Sequence, residues 1–269
     1  MSNFRKITLQ KLAGNLTNFV KKELGKLKSS FKEAFLKLPP GLEREKLIYE
    51  QVIKSNLKAN LIPVTIDGPA GIKITYSVMP DYITIDGIRI PMAGKTAQKV
   101  ADHFKMKLPT DKMSDQIWEA ADVKLRPAPL SSGGRIGGKY YSGKEVVKSK
   151  IGDSDSAVAY SEMIEEQLKE KGKKGLIAGH MKSVIMPLRP GKLGLYGWRG
   201  EKGDTIQKSP ITSHDTSIHT EYGAGTRLVD RKITVTLPNG KIIKTTMDEV
   251  MNHPKLYKYI SQVKGINKY

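Results

Sequence analysis

The chain has 269 residues, with 46 basic against 27 acidic side chains and a formal net charge of +19. It contains no cysteine, which excludes disulfides, thiolate metal sites and thiol catalysis. Its hydrophobic content of 38% is enough for a packed core. No apolar run approaches the ~20 residues that span a bilayer, and no signal peptide is recognised.

The positive charge is unevenly distributed along the chain. Residues 1–60 hold 13 basic and 5 acidic residues, and residues 131–269 hold 24 and 14. Residues 61–130 between them hold 9 and 8 and are nearly neutral. Segregated basic charge favours polyanionic partners, whereas a generally lysine-rich composition would place lysine on every solvated face. Both interpretations are kept.

The first 60 residues are predicted to form a basic helical extension. Apolar residues recur every three to five positions over residues 4–35, which is the pattern of an amphipathic helix. Prolines and a glycine at 39–41 end it, and a second helix is predicted over 43–58. We expect this extension to pack on the chain itself or on a partner rather than on a membrane. Its candidate polyanion-binding residues are Lys21, Lys22, Lys26 and Lys28.

Residues 61–126 are predicted to form the first part of an α+β body. Apolar residues alternate with polar ones over 64–66 and 72–78, and this period of two predicts strands. The segment 81–91 is predicted to be a hairpin, because Asp86-Gly87 suits the positive φ angles of a type I′ turn.

Two short helices and a loop-like stretch follow. The helices are predicted over 96–105 and 111–121, with Thr110 as the cap of the second. Residues 127–143 are rich in glycine, proline and serine, which indicates a linker or a long loop. The glycines at 133–138 lack the order of a phosphate-binding loop, so a plain loop is the better interpretation.

Residues 144–269 are predicted to form the second part of the body. Asn239-Gly240 predicts another hairpin turn, and Thr246 with Glu249 matches a capping box that opens a C-terminal helix. The predicted elements are a helix over 155–171, strands over 176–188 and 194–198, and a hairpin of 227–237 with 241–246. The fold class predicted from all these patterns is α+β, with N-terminal amphipathic helices followed by a mixed domain of antiparallel hairpins.

The densest group of chemically capable side chains lies between residues 179 and 229. If the protein is an enzyme, a histidine of this region is the general base and a neighbouring charged group orients it. Adjacent Ser213, His214 and Asp215 do not form a triad by adjacency, since sequential neighbours project apart. The candidate catalytic residues are His180, Lys182, His214, Glu221 and Tyr222.

Metal and nucleic-acid motifs are weak in this region. A zinc site built from its histidines and Asp215 is chemically conceivable, but their spacing matches no known zinc motif, so no metal or other cofactor is predicted. The segment 191–200 mixes glycine, base and aromatic residues without any recognised nucleic-acid motif. The further candidate polyanion-binding residues are Lys171, Lys173, Lys174 and Arg199.

Short segments of this region resemble a group of bacterial exported and phage-encoded proteins. That group carries a G-H-K-K-D-V-V segment, a Y-G-W-H segment and a Y-S-H-G-x-R-L-V segment. Residues 179–185 (GHMKSVI), 196–199 (YGWR) and 221–229 (EYGAGTRLV) resemble them in turn, and residues 78–82 and 91–98 also echo the group. The resemblance covers residues 78–229 and leaves the basic helices outside it.

Two departures from the group's pattern bear on activity. Arg199 stands where the pattern has a histidine, and Ala224 stands where it has another. An alanine can neither move protons nor bind metal. If those histidines are catalytic in the group, the resemblance implies that this member is inactive or altered.

These observations favour a structural or assembly component with a degenerate hydrolase-like domain and basic attachments. We expect it to belong to a phage or phage-like particle, where its partners are other proteins. Nucleic acid and an anionic cell envelope are alternative partners. One alternative is a cell-wall-directed hydrolase that uses His180 and His214. Another is a nucleic-acid-binding protein. A virion or the cytoplasm is the favoured location.

Overall fold

A computed structural model describes residues 30–127, 154–172, 174–200, 203–207, 209–210, 212 and 220–269. The predicted helix over residues 4–35 lies outside these ranges up to residue 29. The predicted loop over 127–143 lies outside them except for its first residue. Within the described ranges, no helix is both long enough and apolar enough to cross a membrane.

Helices and strands are both present, and the predicted α+β class is confirmed. The helices are α1 (Phe31–Leu36), α2 (Leu42–Val52), α3 (Gly94–His103), α4 (Asp111–Ala120), α5 (Ser154–Lys171), α6 (Met247–Asn252) and α7 (Tyr257–Ile260). The longer strands are β1 (Ile62–Asp67), β2 (Lys73–Val78), β8 (Lys182–Ile185), β9 (Gly194–Arg199), β12 (Val229–Thr236) and β13 (Ile242–Thr246). The short strands are β3 (Thr84–Ile85), β4 (Ile88–Arg89), β5 (Met106–Lys107), β6 (Val123–Lys124), β7 (Ile177–Ala178), β10 (Thr205–Gln207) and β11 (Ala224–Gly225).

Two sheets form the body. The first runs β1-β2-β12-β13 with β5 also paired to β12, and all its pairs are antiparallel. Its central pair joins distant parts of the chain, because Val78 lies opposite Val229. The second runs β10-β9-β8-β11, with β11 parallel to β8. The strands β3 and β4 form the hairpin predicted over residues 81–91.

The turn and cap signals of the sequence are confirmed. Asp86 and Gly87 both have positive φ angles, of 50° and 77°, as a type I′ turn requires. The Thr110 hydroxyl accepts the Met113 N–H at 3.1 Å at the start of α4. At the start of α6, Thr246 and its third successor form the complete capping box.

Two predicted elements differ in length. The strand predicted over 176–188 is interrupted between β7 and β8, where Gly179 has a φ of 101° and a Cβ would overlap the Leu125 carbonyl oxygen. The helix predicted over 43–58 ends at Val52, because the Ser55 hydroxyl donates to the Val52 carbonyl oxygen at 2.5 Å and closes the last turn.

The N-terminal helices pack into the body. Phe35, Ile48 and Val52 are fully buried, and they share one hydrophobic cluster with Tyr160 and Met163 of α5. A second cluster fills the space between the large sheet and the helices α4 and α6. The described part of the predicted extension, residues 30–60, is therefore part of the main core.

Replacing Phe35 with alanine tests this packing. We expect the free energy of unfolding to fall by about 3–5 kcal/mol, because the ring is fully buried. The matched control is Leu36→Ala in the same helix, where the side chain is 42% exposed and the loss should stay below about 1 kcal/mol. Urea unfolding of the full chain measures both. Equal small losses would show that α1 does not belong to the core.

Candidate functional site

The carboxylate of Asp81, just after β2, gathers three cationic or ionisable groups. Its Oδ2 accepts from Arg89 Nη2 at 2.6 Å and Nε at 3.1 Å. Its Oδ1 accepts the Tyr82 N–H at 2.7 Å and lies 3.1 Å from His180 Nε2. The Nη2 of Arg227 lies 3.8 Å from the same oxygen. One carboxylate, whose side chain is 17% exposed, therefore holds groups from three separate chain segments.

Arg89 extends this cluster to α5. It lies in β4, its side chain is 2% exposed, and its Nη1 donates to Glu165 Oε1 at 2.8 Å. Its backbone N–H donates to the Ser161 hydroxyl at 2.9 Å. Burial lowers the pKa of a guanidinium, but the Asp81 and Glu165 carboxylates prevail, so the pKa of Arg89 is raised and the group stays charged.

His180 lies in the bend between β7 and β8 and is fully buried. A carboxylate only accepts hydrogen bonds, so the 3.1 Å contact to Asp81 assigns the proton of the neutral imidazole to Nε2. The other nitrogen, Nδ1, is buried and has no hydrogen-bond partner among the described residues. The imidazole ring meets the Tyr82 ring edge-on, with 5.2 Å between the ring centroids.

The pKa shifts of the pair follow from burial and charge. Burial lowers the pKa of His180, and the attraction of Asp81 does not fully offset that effect, so the imidazole is neutral at pH 7. Burial alone would raise the pKa of Asp81. The imidazole of His180 and the guanidinium groups of Arg89 and Arg227 instead lower the pKa of Asp81 well below its usual range. The site thus holds a permanent carboxylate against a neutral imidazole.

Aromatic side chains fix the His180 backbone. The carbonyl oxygen of His180 accepts from Trp198 Nε1 at 2.9 Å and from the Tyr160 hydroxyl. Tyr222 is 5% exposed and packs edge-on against Tyr160, with 5.3 Å between the ring centroids. The candidate residue Tyr222 therefore supports the wall that holds His180, through Tyr160 and Trp198.

Lys182 and Glu221 form an ion pair. Their Nζ and Oε1 atoms lie 2.6 Å apart, and both side chains are less than one fifth exposed. The ammonium group also lies 4.6 Å from the Trp198 ring centroid, within the range of a cation–π contact. On the next strand Ala224 pairs with Lys182 in parallel register and is buried. The charges of the candidate catalytic residues Lys182 and Glu221 therefore neutralise each other.

Arg199 is likewise engaged within the chain. It pairs with the Asp115 carboxylate of α4, donates from Nη1 to the Gly203 carbonyl oxygen at 3.1 Å, and stacks over the Trp118 ring at 5.3 Å. Its neighbour Trp198 has a φ of 62°, which is strained for a bulky side chain and costs on the order of 1–3 kcal/mol. The strained residue lies at the wall of the site, where packing and hydrogen bonds hold it.

Beside these residues lies a small cavity. Its volume is about 20 Å³, and its lining includes Tyr82, Ser114, Trp118, Arg199 and Arg227. About one water molecule fills such a volume. By comparison, sites for small-molecule ligands measure about 300–1,000 Å³. Nothing of substrate size fits in this cavity as it stands.

The remaining predicted site residues lie elsewhere or outside the described ranges. His214, Lys173 and the four N-terminal lysines fall outside them. Lys171 is the exposed last residue of α5, and Lys174 is exposed shortly after it. Neither is in the cluster around Asp81.

A second candidate site is a basic groove between α2 and α3. Its volume is about 670 Å³, and its charged rim is formed by Lys46, Lys95 and Lys99. Leu42, which is 72% exposed, and Tyr49 give the groove an apolar side. The groove therefore combines positive charge with accessible apolar surface. We call it the α2–α3 groove.

One acidic residue belongs to the lining of the α2–α3 groove. Glu45 is 4% exposed, and its Oε2 accepts the Ala93 N–H at 3.0 Å. Burial raises the pKa of its carboxyl, although its hydrogen bonds and Arg44 oppose that shift. The lining holds three lysines against this one carboxyl, so its formal charge is positive.

Sequence reasoning missed the centre of the buried site. Asp81, Arg89 and Arg227 lay within segments noted for a hairpin or for a resemblance, but no function was assigned to them. The signal in the sequence was the Asp86-Gly87 turn, which brings the residues flanking it into one hairpin. No local pattern indicates that residue 180 meets residue 81.

Among the described residues, no three His, Asp or Glu side chains are grouped so as to hold a metal ion. The chain matches no protein-family model, curated protein or solved structure.

The Asp81→Asn variant tests the buried carboxylate. We expect it to lose about 3–5 kcal/mol of stability at pH 7, because the surrounding cations stay buried without their counter-charge. The folded pKa of Asp81 is depressed, so this contribution is present above the unfolded value of ~3.9 and is lost as pH falls below it. Denaturant unfolding at pH 3 to 7 should show the difference from wild type shrinking below about pH 4.

Asp102→Asn is the matched control for that variant. Asp102 pairs with Lys268 at 2.8 Å on the surface, where about half of each side chain is exposed. Its loss should stay within about 1 kcal/mol. A comparable loss at both positions would contradict the special role of Asp81.

His180 predicts a second pH effect. Its folded pKa is depressed, so the unfolded chain binds a proton near pH 6.5 while the folded imidazole stays neutral. We expect wild-type stability to fall by up to ~1.4 kcal/mol per pH unit below that value. His180→Gln should remove this slope, and His103→Gln, at an exposed position, should keep it. Unfolding at pH 5 to 7 measures the slopes, and equal slopes in all three proteins would contradict the assignment.

Proposed function

We propose that the protein is a structural or assembly component that binds acidic segments of partner proteins, with a hydrolase-like domain that serves as a scaffold. One observation carries the proposal. The described candidate catalytic groups are buried or paired with one another, and none of them lines the adjacent cavity, which has room for about one water molecule. An enzyme acting on a polymer needs an open cleft at its catalytic groups. A scaffold has no such need, and buried, paired polar groups make it more rigid.

The departures from the resembled group support this proposal. Arg199, in place of a histidine, forms an ion pair and a stack that brace α4 against β9. Ala224, in place of another, fills a buried position on β11. Both substitutions replace groups able to transfer protons with groups that pack or pair within the chain.

The α2–α3 groove is the surface we propose for the partner. Lys46 and Lys99 are exposed on its rim, and the carboxylate of Glu50 lies 3.9 Å from the Lys46 ammonium. So long and exposed an ion pair contributes little, which leaves Lys46 available to a stronger acceptor. Leu42 is 72% exposed beside these charges and offers an apolar contact.

The chemistry of the groove favours an acidic peptide segment over nucleic acid. Its rim carries three lysines and its lining holds no arginine, although arginine is the usual bidentate reader of phosphates and bases. Carboxylates accept from single ammonium groups, and one apolar side chain of the partner would cover Leu42 and Tyr49. The motif resemblance is the ground for placing this assembly in a phage or phage-like particle.

Charge reversal at the rim tests the proposal. A fluorescent peptide rich in Asp and Glu, with one Leu, is titrated into the wild type and into Lys46→Glu/Lys99→Glu. We expect affinity to fall by about tenfold or more, since each reversal replaces an attraction with a repulsion. The control Lys255→Glu/Lys258→Glu changes the net charge equally at exposed positions outside the groove and should weaken binding far less. Equal losses in both variants would contradict the groove.

One geometric feature favours a hydrolase as the second candidate. A carboxylate orients His180 through Nε2 and leaves Nδ1 without a partner among the described residues, as in a general base held by an acid. A purified protein that releases soluble fragments from peptidoglycan, and loses this activity in both His180→Ala and His214→Ala, would overturn the scaffold proposal. A nucleic-acid binder would instead lose DNA affinity linearly in log salt, with a slope of about −0.9 per phosphate contact.

A further inference from the structure

We propose that the small cavity between α4, β9 and the bend after β7 binds a single-atom anion of halide size. The cavity has a volume of about 20 Å³, and its wall includes Ser114, Trp118, Arg199 and Arg227. This binding site is separate from the α2–α3 groove and does not depend on the function proposed for it. It follows from the hydrogen-bond donors that converge on the cavity.

Hydrogen-bond donors without acceptors dominate the wall of the cavity. Arg227 is 1% exposed, and its Nε and Nη1 have no acceptor among the described residues, while its Nη2 donates to the Ile177 carbonyl oxygen. Trp118 Nε1, Arg199 Nε and the Ser114 hydroxyl are also buried there without a described partner. Buried donors normally have a hydrogen-bond acceptor. Four residues around one cavity whose buried donors lack one therefore indicate that an acceptor binds there.

The charge of Arg227 favours an anion as that acceptor. Its nearest carboxylate oxygen, on Asp81, is 3.8 Å away, beyond hydrogen-bond distance. That carboxylate is already engaged by Arg89 Nε and Nη2 and by His180. Burying a guanidinium that shares its counter-charge with other groups costs free energy of folding, and an anion in contact with it would lower that cost. Burial also lowers the pKa of Arg227, which indicates the same deficit of negative charge.

A water molecule fits the volume but not the chemistry. Water accepts about two hydrogen bonds. The wall holds five unsatisfied side-chain donor atoms among the described residues, and all of them are N–H groups apart from the Ser114 hydroxyl, so one water would leave most of them without an acceptor. A single-atom anion accepts from all of them and donates nothing. A phosphate or a peptide carboxylate is excluded, because the cavity has room for about one water-sized particle.

Bromide identifies the occupant directly. Crystals of the full chain grown with sodium bromide in place of chloride should show an anomalous scattering peak in contact with Arg227 and Ser114. In solution, chloride or bromide should raise the unfolding temperature saturably over gluconate at equal ionic strength. The shift should reach about 3 °C or more once the halide exceeds its Kd about tenfold.

Ser114→Ala and Trp118→Phe remove one donor each without touching Arg227. We expect each to weaken halide affinity about tenfold, since a hydrogen bond to a charged group is lost. Ser77→Ala, at a β2 position that does not line the cavity, is the matched control and should leave the affinity unchanged. Density in the cavity without an anomalous signal would overturn the proposal. So would an unfolding temperature that follows ionic strength alike for all three salts.

Discussion

A carboxylate that is largely removed from water has to be surrounded by positive charge and hydrogen-bond donors, and Asp81 imposes this requirement on the body. Arg89 from the first hairpin, His180 from the bend after β7 and Arg227 from the joint before β12 all face it. Through Arg89 the contact reaches Glu165 on α5. Because each partner comes from a different element, satisfying one carboxylate fixes the relative positions of hairpin, helix and both sheets.

The fold was predictable where the signal is local. The Asp86-Gly87 turn, the Thr110 cap and the Thr246 capping box each depend on a few neighbouring residues, and all three are present. The lengths of the strands were harder to predict from the sequence. The break at Gly179 arises because the Leu125 carbonyl oxygen occupies the space that a side chain would need, and that contact spans more than fifty residues of chain.

The candidate site was predictable only in part, for the same reason. Histidine, lysine and tyrosine residues of the region 179–229 were singled out by type, and the structure brings Lys182 to Glu221 and packs Tyr222 near the His180 backbone. What the residue types do not reveal is whether they are open to solvent. Burial and mutual pairing come from contacts between distant segments, which residue types do not encode. The partner carboxylate Asp81 was missed because it comes from such a segment.

The pairing of β2 with β12 has a consequence for how the chain is made. Val78 pairs with Val229, and β12 also pairs with β5 and β13, so the centre of the large sheet forms only after residue 229 has been synthesised. Strand pairs this distant in sequence form slowly, because the entropy cost of closing the intervening loop comes before the contacts that stabilise the pair. On the ribosome, the β1–β2 hairpin therefore presents an unpaired β2 edge until β12 has been synthesised. An unpaired strand edge is a template for aggregation, so the nascent chain is more exposed to that risk than the folded protein.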